Sequence, residues 1–232
     1  MIWIGTSGFQ YPEWKGKFYP AKLPTAKMLA YYAERFTTTE SNYTFRSIPS
    51  AKTIANWLAT TPERFRFALK APQRITHIKR LIDCGAELRG FFEATRGLGA
   101  KLGPVLFQLP PNLKKDTGRL NDFLALLPDE MRAAFEFRHE SWFSDDTFEM
   151  LKSHGAALCI ADSEKLSTPV VMTAKFGYFR LRDEGYGKTD LKRWAETIAR
   201  HREALENIHV YFKHEERGLG PEFAQELQRL LG

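Results

Sequence analysis

Gly177-Tyr178-Phe179-Arg180-Leu181-Arg182 is the stretch on which the fold turns. Residues two apart in a strand share a face, so Tyr178, Arg180 and Arg182 stand together, opposite Phe179 and Leu181. The same form recurs in Ala134-Phe135-Glu136-Phe137-Arg138, where Glu136 and Arg138 face away from Phe135 and Phe137. Working outward, eight short apolar runs emerge: Ile2–Gly5, Thr37–Asn42, Phe65–Ala71, Val105–Leu109, Ala134–Arg138, Ala157–Asp162, Gly177–Arg182 and Ile208–Phe212. Each has the length of a strand.

Helical spacing fills most of the intervals. Thr25 precedes Met28, Leu29, Tyr32 and Ala33, and Pro49-Ser50 opens a segment carrying Ile54, Trp57 and Leu58. Thr117 precedes Leu120, Phe123, Leu124 and Leu127, and Thr189 precedes Leu191, Trp194, Ile198 and Leu205. Pro221 sits where a first helical turn accepts proline, ahead of Phe223, Leu227, Leu230 and Leu231. Strand–helix alternation along a whole chain predicts an α/β protein with a parallel sheet. Eight strands without a gap favour a closed (β/α)₈ barrel, and an open doubly wound sheet is the rival. Between Asp162 and Gly177 the helical signal fails and Pro169 interrupts it, so the sixth crossover is expected to lack a regular helix. No repeat or Gly/Ser linker divides residues 1–232, which read as one domain.

The composition is that of an ordinary globular chain, with 43% hydrophobic and 27% charged residues among 232. A formal net charge of +6 favours anionic partners, small molecules or nucleic acid, though no run of five basic residues marks a nucleic-acid tail. Cys84 and Cys159 fit no metal or redox spacing, and Cys159 reads as a buried thiol. No apolar stretch is long enough to span a bilayer and no cleavable leader opens the chain, so a cytoplasmic location is expected and no membrane partner.

The strand ends carry the functional signal. Glu40 and Asn42 share a face of the second run, Lys70 closes the third, Gln108 the fourth and Asp162 the sixth, and Lys213 follows the eighth. Helix-covered parallel strands should be nearly continuous apolar runs, and an unpaired charge among them costs several kcal/mol, about the desolvation penalty of the group. These groups must pair, meet water in a pocket, or both. Carboxyl strand ends are where barrels place active sites. Structural ion pairs, such as Glu136 with Arg138 or Glu40 with Lys70, are the plainer alternative.

The motifs are also familiar as a series. Gly5-Thr6-Ser7-Gly8-Phe9 with Tyr11, Trp14 and Phe18-Tyr19-Pro20 is followed by Glu40-Ser41-Asn42-Tyr43-Thr44-Phe45 and Phe67-Ala68-Leu69-Lys70-Ala71-Pro72. Gly103-Pro104-Val105-Leu106-Phe107-Gln108-Leu109-Pro110-Pro111 and Glu136-Phe137-Arg138-His139-Glu140-Ser141-Trp142 complete it. This order resembles the YecE-like family, a "domain of unknown function" group. The resemblance implies a TIM-type barrel and no established activity. Two departures stand out: the family's usual Arg-Leu-His-Gly is here Arg180-Leu181-Arg182-Asp183, and its Phe-Asn-Asn is Phe212-Lys213-His214. Both introduce a basic side chain.

Three acids (Glu40, Glu136, Asp162) thus meet five bases (Lys70, Arg138, Arg180, Arg182, Lys213), an excess that should attract an anion. Phosphate sites in such barrels often follow strands seven and eight, where Arg180, Arg182 and Lys213 fall. Gly218-Leu219-Gly220-Pro221 offers the amides of a last helix as a weaker contribution. The leading expectation is a protein that binds, and hydrolyses or rearranges, a phosphate-bearing ligand, with Glu40 or Glu136 as general acid/base and Asp162 as second carboxylate. Ser7, Asn42 and Gln108 would hydrogen-bond the ligand. Tyr11, Trp14, Tyr43 and Trp142 would stack on a sugar or base, or else anchor their loops.

Three alternatives remain. One is a metal-dependent hydrolase or sugar isomerase, using the three carboxylates with His139 or His214 around a divalent ion. Another is glycoside chemistry between Glu40 and Glu136. The last is a binding protein without catalysis, in which the carboxylates would be saturated by ion pairs rather than raised in pKa.

Overall fold

Each of the eight apolar runs overlaps a strand. In the computed structural model, which describes residues 1–163, 166–183, 185–214 and 218–232, these are β1 (Ile2–Thr6), β2 (Thr38–Ser41), β3 (Arg66–Lys70) and β4 (Leu102–Gln108). They continue with β5 (Ala133–Glu136), β6 (Ala157–Ala161), β7 (Phe176–Leu181) and β8 (Asn207–Phe212). All neighbours pair in parallel, in the order β1-β8-β7-β6-β5-β4-β3-β2. The chain is therefore an eight-stranded barrel, nearly closed, and the open-sheet rival is set aside.

Closure falls between β1 and β2, and a side chain completes it. Tyr32, from helix α1 (Met28–Ala33), accepts from the Thr6 backbone N–H at 2.8 Å and lies 3.1 Å from the Thr38 carbonyl, to which it donates. Its hydroxyl replaces a ladder bond that the two strands do not make directly. Gly5 is needed at this seam, because a β-carbon there would lie 2.2 Å from the Thr38 oxygen. Beyond the seam, the Gly8 N–H reaches the Glu40 carbonyl at 2.7 Å.

The remaining helices are α2 (Tyr43–Arg46), α3 (Ala51–Thr60), α4 (Gly85–Thr95), α5 (Thr117–Leu124), α6 (Asp145–Ser153), α7 (Lys188–His201) and α8 (Leu219–Leu231). Ser50 caps α3 by accepting the Thr53 N–H at 3.1 Å. Helix α5 begins at the expected Thr117, and α7 begins one residue before Thr189. Asp116 caps α5 through the Arg119 N–H, and α7 begins at Lys188, with Asp190 accepting the Gly187 N–H. At α5 a carboxylate, the stronger acceptor for an orphan helix amide, takes the capping role beside Thr117. Between β6 and β7 the described residues form no helix, as expected. That crossover instead docks through Thr173, whose hydroxyl accepts from the Leu158 N–H and donates to the Ala156 carbonyl, both at 2.7 Å.

Two cores result. The larger lies between sheet and helices and holds Phe107, Phe135, Phe179 and Trp142 among others. The smaller, inside the barrel, gathers Ala68, Leu106, Ala134, Cys159, Tyr178 and Tyr211. Its members share strand faces with Lys70, Gln108, Glu136 and Arg180. Several are alanines, which leaves interior volume for long polar side chains. Cys84 and Cys159 are both buried and free. Among the described residues no helix is long and apolar enough to cross a membrane.

Candidate functional site

Arg180 stands at the centre of the carboxyl end, fully buried. Its Nε and Nη2 grip Glu40 at 2.9 and 2.7 Å, and its Nη1 donates to Glu136 at 2.6 Å. One guanidinium thus ties β2, β5 and β7 together. Glu40 also accepts from the Ser7 hydroxyl at 2.5 Å and from the Tyr178 hydroxyl at 2.7 Å. Glu136 accepts from the Gln108 amide at 2.9 Å and from Arg182 at 3.2 Å. Gln108 in turn accepts from the Lys70 ammonium at 2.8 Å. The result is an open ring of polar side chains, hydrogen-bonded in series from Ser7 through Glu40, Arg180, Glu136 and Gln108 to Lys70.

The electrostatics follow from burial and pairing. Burial alone would raise both carboxyl groups. Arg180 outweighs it, so Glu40 is held below its ordinary value and Glu136 is drawn down to about 2. Both are ionised at neutral pH with their lone pairs engaged. Burial would discharge Arg180, but the two carboxylates hold its pKa well above the usual arginine range. Lys70 differs: burial, then the charge of Arg180, lowers its amine to about 8, and it lies 4.0 Å above the Phe45 ring.

Beside this ring a cavity of about 310 Å³ opens among the ends of β4 to β7. Glu136, Arg138, Asp162, Ser163, Thr168 and Arg182 supply its polar wall, Pro111, Phe137 and Leu166 its apolar one. β5 ends at Glu136, two residues before the expected end, which lets Arg138 swing out of the sheet into this space. Arg138 is half-buried and makes no hydrogen bond or salt bridge among the described residues. Burial and then the charge of Arg182 lower its pKa. Asp162 accepts from the Arg182 backbone N–H at 2.8 Å and from the Tyr186 hydroxyl.

The sequence-derived candidates divide accordingly. Glu40, Glu136, Ser7, Lys70, Gln108 and Arg180 come together in the ring, where Arg180 meets carboxylates instead of facing the mouth. Glu136, Asp162, Arg138 and Arg182 line the cavity. Asn42 lies past the end of β2 and donates to the Ser7 hydroxyl at 3.1 Å. Tyr11 donates to the Ser7 carbonyl at 2.8 Å, with its ring 4.7 Å from Trp14. Trp14 is buried among Tyr11, Phe18 and Tyr19, so stacking on a ligand gives way to loop anchoring, because the ring's faces are covered by other rings. Trp142 is an anchor as well, stacked on Phe137 and donating to the Leu113 carbonyl at 2.8 Å. Tyr43 is exposed and edge-on to Trp57. Lys213 follows β8, half-buried. The amides of α8 are only partly available, since the Gly220 N–H reaches the His214 carbonyl. Residues 215–217, just before that helix, lie outside the described part.

The metal alternative fits poorly. Arg180 occupies the place between Glu40 and Glu136 that a shared cation would take. His139 is engaged with Ser141, and His214 with the Asp183 carbonyl. Among the described residues no group of three or more His, Cys, Asp or Glu side chains could hold a metal ion. Sequence reasoning missed Tyr178 and Tyr186, which orient Glu40 and Asp162. Tyr178 was within reach, since it shares the Arg180 face of β7.

Comparison with known proteins agrees with this architecture. Residues 3–232 match the family described as "Protein of unknown function DUF72". The UPF0759 protein YunF of Bacillus subtilis (strain 168) is 31% identical over 189 residues, 75% of this chain and 66% of the relative's length. The crystal structure of a DUF72 family protein from Thermotoga maritima superposes with a TM-score of 0.89 at 26% identity, over 100% of this chain and 99% of that one. One from Enterococcus faecalis gives 0.83 at 19% identity, over 100% of this chain and 95% of the other, a likeness of fold.

Proposed function

This chain belongs to the DUF72 family, the same group as the YecE-like proteins it resembles in sequence, and on that premise we propose that it binds a phosphate-bearing small molecule at the strand carboxyl ends, clamped by Arg138 and Arg182. One observation carries the reading. Two guanidinium groups line one cavity, the charge of Arg182 adds to burial in lowering the pKa of Arg138, and Arg138 makes no salt bridge among the described residues, so that Glu136 offsets its charge only in part. A phosphate between them supplies the remaining negative charge and suits the bidentate fork of arginine. A volume of about 310 Å³ fits a sugar phosphate or a single nucleotide unit better than a length of nucleic acid.

Glu40 and Glu136 are assigned a positioning role. A general acid needs a proton near neutral pH, and both carboxylates are held in the opposite direction by Arg180. The same saturation disfavours glycoside chemistry between them. Asp162 faces the ligand from the cavity wall beside Arg182, and Glu136, also on that wall, is held by Arg180.

Calorimetric titration with inorganic phosphate, glucose 6-phosphate and AMP tests it. At least one should bind, and Arg138→Ala should weaken that binding by at least about tenfold while leaving the fold intact. Equal binding by the variant, or no binding of any of the three, would overturn the proposal.

A further inference from the structure

A second cavity, of about 670 Å³, opens at the opposite, amino-terminal end of the barrel. Phe92, Leu102, Val105 and Met131 form an apolar wall, and Arg66, Arg96 and Arg132 form a cationic rim facing the single acid Glu130. Arg96 is paired with Glu93 at 2.9 Å. Arg66 and Arg132 make no salt bridge among the described residues. Arg66 instead donates to the Glu63 and Phe65 carbonyls and lies 5.2 Å from the centre of the Trp3 ring.

His209 lines the same space from inside the barrel, buried beside Trp3. Its Nδ1 lies 3.3 Å from the Tyr211 hydroxyl, and its Nε2 has no hydrogen-bond partner. Burial, then the charge of Arg132, lowers its pKa to about 3, so the ring is neutral and one nitrogen carries hydrogen. The tautomer in which the Tyr211 hydroxyl donates to Nδ1 places that hydrogen on Nε2. The amino-terminal face of a barrel ordinarily serves stability. Arg66 and Arg132, with no salt bridge among the described residues, stand beside a buried nitrogen that has no hydrogen-bond partner, and such a nitrogen costs free energy unless something satisfies it.

We propose that this cavity is a second binding site, for a small organic anion with an apolar body and a carboxylate or phosphate head. The head meets Arg66, Arg132 and the Nε2–H of His209, and the body lies against Phe92 and Met131. Its volume and its mixture of apolar wall and few polar groups are those of small-molecule sites. The site is independent of the strand-end cavity, from which it is separated by the buried ring around Arg180.

The test follows the imidazole ¹⁵N resonances of histidine-labelled protein at neutral pH, with benzoate and phenyl phosphate as probes. His209 is identified by its contact with the Tyr211 ring. Its resonances should move saturably with at least one probe at millimolar concentration or below, and the probe that acts names the head group. Arg132 is exposed, so Arg132→Ala should fold normally and bind at least about tenfold more weakly, whereas Arg138→Ala should bind as the parent does. Unmoved His209 resonances with both probes, or undiminished binding by Arg132→Ala, would overturn the proposal. Loss of the saturable His209 shift in Arg138→Ala would equally overturn it, by tying that shift to the other cavity.

Discussion

Arg180 and Glu40 meet inside the barrel with Nη2 2.7 Å from Oε1, and neither side chain is exposed to solvent at all. The pair joins β7 to β2 across the interior, and Glu136 completes it as a triad. Buried charges of this kind are costly to bring together and more costly to separate. The partners of Arg180 are therefore the first place to look for the barrel's sensitivity.

Replacing Arg180 by Met should destabilise the fold by about 3–5 kcal/mol, because two buried carboxylates lose their shared cation. Arg180→Lys should recover only part of the loss, since an ammonium cannot span both Glu40 and Glu136 as the planar fork does. Urea unfolding measures both. A Met variant as stable as the parent would show that the triad is not holding the strands.

Acid should act through the same contacts. Glu136 has a folded pKa of about 2 against an ordinary value of 4.5, and Glu40 is shifted in the same direction. In that window the unfolded chain binds the proton more readily, so this stabilisation is complete above about pH 5 and is lost as pH falls toward 2. Unfolding midpoints between pH 6 and about 2 should fall steeply for the parent. Glu136→Gln, which keeps hydrogen-bonding ability without titrating, should flatten part of that slope. An unchanged slope would assign the acid sensitivity elsewhere.

Lys70 has the opposite signature. Its folded pKa of about 8 lies below the ordinary 10.5, so between those values the unfolded chain holds a proton that the folded chain has released. Its contribution to stability therefore rises with pH across that interval. The difference in unfolding free energy between the parent and Lys70→Met, followed from about pH 7 to pH 10, should shift toward the parent. A difference independent of pH would mean that Lys70 stays charged.

Tyr32→Phe tests the seam. Removing the hydroxyl strands the Thr6 N–H and the Thr38 carbonyl, at a cost of about 1–3 kcal/mol. Amide exchange at Thr6 should accelerate more than at Gly5, whose N–H points to β8 and not to the seam. Equal acceleration at both would point to general loosening instead of an opened seam.

The sequence alone determined the eight strands, their parallel pairing, and the helix-free sixth crossover. Those features are written in local periodicity, and the backbone can satisfy them in few ways. It also determined which residues crowd the carboxyl ends, because strand alternation puts Tyr178, Arg180 and Arg182 on one face. What tertiary structure alone decided is which of those charges are already spent. Arg180 and Arg138 look alike in sequence, each a basic residue on the inward face at a strand's end. The first is enclosed by Glu40 and Glu136, which approach it from strands far away in the chain. The second leaves the sheet two residues early and faces a cavity. Likewise His209 reads as one more histidine in an apolar strand until the rim of Arg66 and Arg132 is assembled around it. Charge pairing depends on distances between segments remote in sequence, and only the closed barrel sets those distances.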